Sequence, residues 1–389
     1  MPPARSAGWV DPDECRLDEF RALVERVTEH ADYPFADAVE QNVLIYGDRL
    51  RAAISDRDGR RAVQTELAQA LLEGPGVLMF KQAFEPPVVD RATVQFEAMI
   101  AEQKKTGAIA GDHFAKPGSN DRVWGALDKL ALQAADVFVD YYANDTLALV
   151  CEAWLGPGYQ ITSQVNVVNP GGQAQVAHAD YHLGFMSIDQ AGTYPAHVHR
   201  LSPALTLQGA VAHCDMPVET GPTMYLPYSQ RYAAGYVACH RPEFIEYFDD
   251  HYVQLTLAKG DAVFFSPALF HGAGTNRSTE VRRMANLLQI SSAFGRAMES
   301  LDRVAMSKAL FPVLADRMTS GAFEHLLRNA VAASAEGYAF PTNLDRDQPV
   351  GGLAPETQAE LVWRALHERW DVETLAKELD AQHHRHLSA

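Results

Sequence analysis

Two stretches decide how this chain folds: Gln175-Val176-Ala177-His178-Ala179-Asp180-Tyr181-His182 and Phe264-Phe265-Ser266-Pro267-Ala268-Leu269-Phe270-His271-Gly272. Between them they offer two imidazoles and one carboxylate. That ligand set holds Fe(II) on one face of the ion and leaves the opposite face open. The bare H-x-D string is weak evidence, because a chain with 15 His and 50 acidic residues in 389 positions holds roughly two H-x-[DE] triplets by chance. Three H-x-D strings occur, at His30, His178 and His213. His30-Ala31-Asp32 lies in a polar stretch with helical spacing, where positions i and i+2 point about 200° apart. His213-Cys214-Asp215 runs into Met216-Pro217, so its Asp reads as a turn-starter bonding nearby backbone N–H groups. His178-Ala179-Asp180 follows Asn169-Pro170-Gly171-Gly172, a turn that brings in a strand, and on a strand i and i+2 share a face.

Outward from these stretches the chain divides by hydrophobic period. Residues 1–74 are charged and mostly helical in pattern, and Gly74-Pro75-Gly76 ends that run. Val77-Leu78-Met79-Phe80 reads as a buried strand. A helix over about 86–105 carries Val89, Ala92, Phe96, Met99 and Ile100 on one stripe, and another lies near 140–155. From about 160 to 295 the period approaches two, giving strands over 160–168, 175–186, 204–214, 223–227, 253–257, 262–266 and 282–292. Helical patterns return from 296 to 389. The expected fold is α+β: a double-stranded β-helix, or jelly roll, over 75–295, with a helical N-terminal extension (1–74) and a helical C-terminal extension (296–389) packed on it.

Composition narrows the function. A net charge of −17 argues against nucleic acid or an anionic membrane surface as partner, because both need clustered Lys and Arg. Four cysteines at 15, 151, 214 and 239 have neither C-x-x-C spacing nor the density of a disulfide framework. The start, Met1-Pro2-Pro3-Ala4-Arg5, lacks an apolar signal core and no run approaches 18 apolar residues, so a cytoplasmic protein is expected. The expected partner is a small-molecule substrate. Oligomeric state is left open, a homo-oligomer included.

Three inward polar groups on one strand, His178, Asp180 and His182, are costly unless they bind something. His271 stands beside Gly272 and Gly274, and Arg282 opens a strand eleven residues later. A guanidinium entering a barrel needs an anion, either a protein carboxylate or the distal carboxylate of a co-substrate such as 2-oxoglutarate; the residues alone do not choose. The loop from Gly111 to Trp124, with His113, Arg122 and Trp124, is a candidate substrate-facing segment, since such loops on rigid scaffolds carry specificity. His182 is a further candidate.

Taken together, H-x-D, a distal His followed by Gly, and Arg about eleven residues on resemble the phytanoyl-CoA dioxygenase family of Fe(II)/2-oxoglutarate oxygenases. The likeness covers roughly 75–295. It includes Gly76-Val77-Leu78-Met79-Phe80-Lys81, Gly221-Pro222-Thr223-Met224-Tyr225-Leu226-Pro227 and His271-Gly272-Ala273-Gly274-Thr275-Asn276. The resemblance implies that His178, Asp180 and His271 hold Fe(II) and form the catalytic centre. It further implies that Arg282 anchors 2-oxoglutarate, with Gln164 or Asn166 as a second contact, and that O2 is the oxidant. Two positions depart from the family pattern: the usual P-G-S-H turn reads Pro227-Tyr228-Ser229-Gln230, and a hydroxyl residue common after the distal His is Ala273. Related halogenases replace the carboxylate to admit halide. Asp180 is present, so the implied reaction is hydroxylation, or desaturation or ring closure, of a small metabolite. Two other classes stay open: a jelly-roll Zn²⁺ hydrolase or isomerase using His182, His197, His199 or His213, and a non-catalytic binding protein.

Overall fold

The structure, a computed structural model, describes residues 8–106, 118–180, 182 and 186–388. Its framework is an eight-stranded sheet. In chain order the strands are β1 (Ala38–Glu40), β2 (Val43–Tyr46), β3 (Val77–Phe80), β4 (Asn120–Val123), β5 (Gln160–Val168), β6 (Thr206–Ala212), β7 (Met224–Tyr225), β8 (Ala262–Phe265), β9 (His271–Gly272) and β10 (Arg283–Ser291). The sheet order is β1-β2-β3-β8-β6-β10-β5-β4, antiparallel throughout except for the β2–β3 pair. Facing it, β7 pairs with β9, and isolated bridges at His178, Val253 and Leu257 complete the smaller wall of a jelly-roll barrel. The expected α+β jelly-roll class is the one observed.

Alternation along the strands sorts side chains to two faces. On β8, Ala262 and Phe264 join the main core while Val263 and Phe265 face the barrel interior. The outer face is covered by the helices Arg57–Leu72, Pro86–Thr106, Ala126–Gln133, Ala135–Tyr142, Asp145–Leu155 and Arg303–Thr319. One continuous apolar cluster runs from Tyr33 to Leu379, so helices at both ends of the chain share a core with the sheet.

Three expectations are corrected. The N-terminal segment is not purely helical: β1 and β2 form a hairpin that extends the sheet. Its two-residue turn, Gln41-Asn42, has φ of 50° and 67°, the left-handed pair that suits the twist of a tight hairpin. The run Val43-Leu44-Ile45-Tyr46 is as apolar as β3, which it pairs with. Among the described residues of the stretch 175–186, pairing is limited to a single bridge at His178, and a short helix begins at Ile188. The stretch 253–257 likewise touches the sheet by single bridges.

Phe264 belongs to the core that β8 shares with the helices. It is fully buried, meets Phe80 edge-on at 5.8 Å, and lies against the bare backbone of Gly209, where a Cβ would come within 2.5 Å of its ring. Phe264→Ala is expected to lower unfolding free energy by about 3–5 kcal/mol in urea titration, the range for emptying a large core site.

Candidate active site

His178 and His271 face each other across a reciprocal backbone pair. His178 N–H donates to His271 O (2.9 Å) and His271 N–H donates to His178 O (3.0 Å). Each ring is then fixed by the carbonyl two residues earlier: His178 Nδ1 lies 2.9 Å from Val176 O and His271 Nδ1 2.8 Å from Leu269 O. A carbonyl can only accept, so Nδ1 carries the proton in both rings and the Nε2 lone pairs are left available, the tautomer a metal-binding imidazole needs. Asp180 is anchored by its N–H to Pro267 O at 2.8 Å. Its carboxylate lies 3.6 Å from His271 Nε2 and 4.0 Å from His178 Nε2, and it accepts a hydrogen bond from Gln208 Nε2. The three ligand atoms fall within 4.8 Å of one another, the one such cluster of metal-binding groups among the described residues.

Electrostatics match this donor set. Burial alone would raise the Asp180 carboxyl, but His271, His178 and Gln208 outweigh it and hold the group well below the usual carboxylate range. Burial, with His271 nearby, lowers His178 and keeps it neutral. An ionised carboxylate and neutral imidazoles are the forms that bind a cation.

The three groups open onto a cavity of about 190 Å³ whose wall includes Arg122, Trp124, Gln164, Asn166, Gln208 and Arg283. The arginine expected to face inward is where sequence and structure part. Arg282 does not point inward: its side chain is 44% exposed and pairs with Glu97 at 3.0 Å and Asp121 at 3.3 Å. Arg283 lines the cavity and is 6% exposed. The phase of β10 decides this, because Met284, Leu288 and Ile290 are the apolar row that packs into the main core and so leave 283, 285, 287 and 289 to the barrel. Arg283 reaches the backbone oxygens of Thr220 (3.2 Å) and Gly274 (3.4 Å), and no carboxylate among the described residues pairs with it. Burial pulls its guanidinium down to about 10, still charged at neutral pH. A buried cation without a protein anion is suited to an anionic ligand.

Other expected residues divide. Arg122 and Trp124 do line the cavity, with the guanidinium 4.3 Å from the indole centroid. Gln164 faces inward, but Arg122 Nη2 donates to its Oε1 (2.6 Å) and its own Nε2 lies 3.3 Å from Met298 Sδ. Asn166 also lines the wall, and its buried Oδ1 has no hydrogen-bond partner among the described residues. His113 lies outside the described residues. His182 is not in the wall: its Nε2 accepts from Arg296 N–H (3.1 Å), so Nδ1–H donates to Thr206 Oγ1 (2.5 Å). Strand parity placed it inward, and the loss of strand geometry after His178 removes that argument. His213 is also occupied. Its Nδ1 meets Thr93 Oγ1 at 2.8 Å and its Nε2 meets Tyr141 Oη at 2.9 Å, while burial drives its pKa down to about 3. The sequence reading missed Gln175, Gln208, Thr223, Tyr225 and Met298, all in the cavity wall.

The family model described as phytanoyl-CoA dioxygenase (PhyH) matches residues 59–284. The chain belongs to the phytanoyl-CoA dioxygenase family. Among curated relatives, dioxygenase trt7 of Aspergillus terreus is 24% identical over 232 residues, covering 60% of this chain and 75% of that protein. Dioxygenase cdmD of Talaromyces verruculosus is 28% identical over 164 residues, covering 40% of this chain and 48% of that protein. Among solved structures, the non-heme alpha ketoglutarate dependent epimerase SnoN from nogalamycin biosynthesis aligns with TM-score 0.40 and 18% identity over 60% of this chain and 82% of that one. The carbocyclase SnoK from the same biosynthesis aligns at TM-score 0.40 and 18% identity over 56% and 80%. This family member is an oxidoreductase of the Fe(II)/2-oxoglutarate dioxygenase type and uses Fe(II), 2-oxoglutarate and O2.

For His182 the geometry predicts a supporting part. His182→Ala is expected to lower stability by about 1 kcal/mol, the scale of a lost hydrogen bond, with the 2-oxoglutarate requirement unchanged. Melting curves alongside co-substrate titration check this; a selective rise in that requirement would return His182 to the site.

Proposed function

We propose that this dioxygenase hydroxylates, desaturates or cyclises a small metabolite, with 2-oxoglutarate converted to succinate and CO2. His178, Asp180 and His271 would hold the iron through two Nε2 atoms and a carboxylate oxygen, and Arg283 would receive the distal carboxylate of 2-oxoglutarate. The observation that carries the reading is that this donor set and a buried guanidinium, unpaired with any carboxylate among the described residues, open onto one cavity. Bound there, Fe(II) supplies the centre at which O2 and the 2-oxo acid react to oxidise a substrate C–H bond.

The protein's own groups do the holding. Arg283 offers parallel N–H donors that match a carboxylate, which Lys cannot reproduce. Ala273 cannot give the hydroxyl that family members often present after the distal His, but Thr223 and Tyr225, each bearing a hydroxyl, line the same cavity as Arg283. Asp180 fills the carboxylate position, which favours oxygen insertion or hydrogen removal over halogen transfer.

Two buried acceptors in the wall, Gln208 Oε1 and Asn166 Oδ1, lack partners among the described residues. The co-substrate dianion offers only acceptors, so these amides favour a substrate bearing O–H or N–H groups. Trp124, Met216, Leu257, Phe265 and Leu287 supply apolar surface for its carbon frame. Four free cysteines, three of them buried, favour a reducing compartment, in line with the cytoplasmic expectation. No described helix is long and apolar enough to cross a membrane.

Anaerobic addition of Fe(II) and 2-oxoglutarate is expected to give a weak visible charge-transfer band that His271→Ala abolishes. Persistence of the band in that variant would remove His271 from the metal site. Arg283→Ala is expected to raise the 2-oxoglutarate concentration needed for the band roughly 30-fold or more, from about 2–5 kcal/mol for truncating one side of a buried charged pair. Arg283→Lys should recover little of it. Arg282→Ala should leave it unchanged, and the opposite pattern would reverse the assignment.

A further inference from the structure

Gln208 touches the site from an interior strand of the eight-stranded sheet. It lies on β6, flanked in register by Phe265 of β8 and Gln289 of β10, so its backbone is clamped on both sides. The residue is 8% exposed. Its Nε2 donates to Asp180 Oδ2, and chemistry fixes which end of the amide does so, because the reversed amide would press Oε1 against a carboxylate. Asp180 has the opposite character. Among the described residues, its segment is held by one backbone bond to Pro267 O, and the other polar neighbours of its carboxylate are the two imidazoles at 3.6 and 4.0 Å. Those rings are fixed by their own carbonyls, so they cannot follow the carboxylate if it turns.

We propose that Gln208 is a positioning residue that acts through Asp180, holding the carboxylate in the rotamer that faces both imidazole Nε2 atoms. The inference rests on the reading of His178, Asp180 and His271 as the metal site. A carboxylate ligand left without its hydrogen-bond partner must give up side-chain freedom when metal binds, and loss of such outer partners costs metal affinity about 10- to 100-fold.

The test is anaerobic titration of the whole protein with Co(II), read by its visible absorption, on wild type, Gln208→Met, Asp180→Ala and the double variant. Met keeps the length and volume of Gln and removes the donor; if Gln208→Met does not fold, Gln208→Leu carries the same comparison. Melting of the metal-free proteins runs in parallel. The expected result is a Co(II) dissociation constant raised about 10- to 100-fold in Gln208→Met, with little change in metal-free melting. In the Asp180→Ala background the same substitution should have no further effect, as required of a group that works only through that carboxylate. Wild-type affinity in Gln208→Met overturns the proposal, and so does an equal loss with Asp180 removed. Wild-type affinity in Asp180→Ala would overturn the metal-site reading itself, a result distinct from failure at Gln208 alone.

Discussion

The reciprocal pair of backbone hydrogen bonds between His178 and His271 is the constraint on which the site depends. It ties an irregular segment to a two-residue strand 93 positions away and sets the ring centroids 4.4 Å apart. Without it neither imidazole would have a fixed origin, since neither lies in the eight-stranded sheet. The pair is itself braced from below. Phe270, next to His271, is fully buried and stacks with Phe20 at 5.1 Å, inside a second apolar cluster built from Phe244, Phe248 and Tyr232. Residues near the N-terminus thus hold the strand that carries the distal histidine.

Much of this was legible in sequence where a signal was local. β5, β6, β8 and β10 lie within the expected strands, and the helix expected over 86–105 runs from Pro86 to Thr106. The three donors converge as their spacing and company implied. Parity was the weak link. An Arg–Arg pair at a strand entrance gives no sign of which member faces in, and the interval of eleven from His271 pointed to Arg282. The decisive signal lay further along the same strand: Met284, Leu288 and Ile290 on one face, Arg283, Ala285 and Gln289 on the other. The large apolar row belongs under helices and the mixed row belongs to a cavity.

What sequence could not give was contact between distant elements. Gln208 reads as an ordinary polar residue in a strand, and its importance comes from Asp180, 28 positions earlier, folding over it. Met298 lies beyond the expected boundary of the core at 295, yet it meets Gln164 in the cavity wall. His182 shows the reverse error. A period-two argument is only as good as the strand beneath it, and after the bridge at His178 neither Asp180 nor His182 lies in a strand.

Charge in the cavity runs against charge on the chain. The protein carries −17 overall, which by itself would repel a dianion such as 2-oxoglutarate. Among the described residues of the wall the titratable side chains are two arginines, two histidines, a tyrosine and one carboxylate, and that carboxylate faces the two imidazole Nε2 atoms. A divalent cation held there would more than offset Asp180, and Arg283 lies in the same enclosed, low-dielectric space, where Coulomb interactions outweigh those of screened surface groups. The acidic excess is spread over exposed faces whose fields salt attenuates within about 8–10 Å. On the proposed role of Arg283, retention of the dianion would be set by the few buried charges around it, and the one-residue phase of β10, placing Arg283 inside and Arg282 outside, would matter more to co-substrate binding than the sign of the whole molecule.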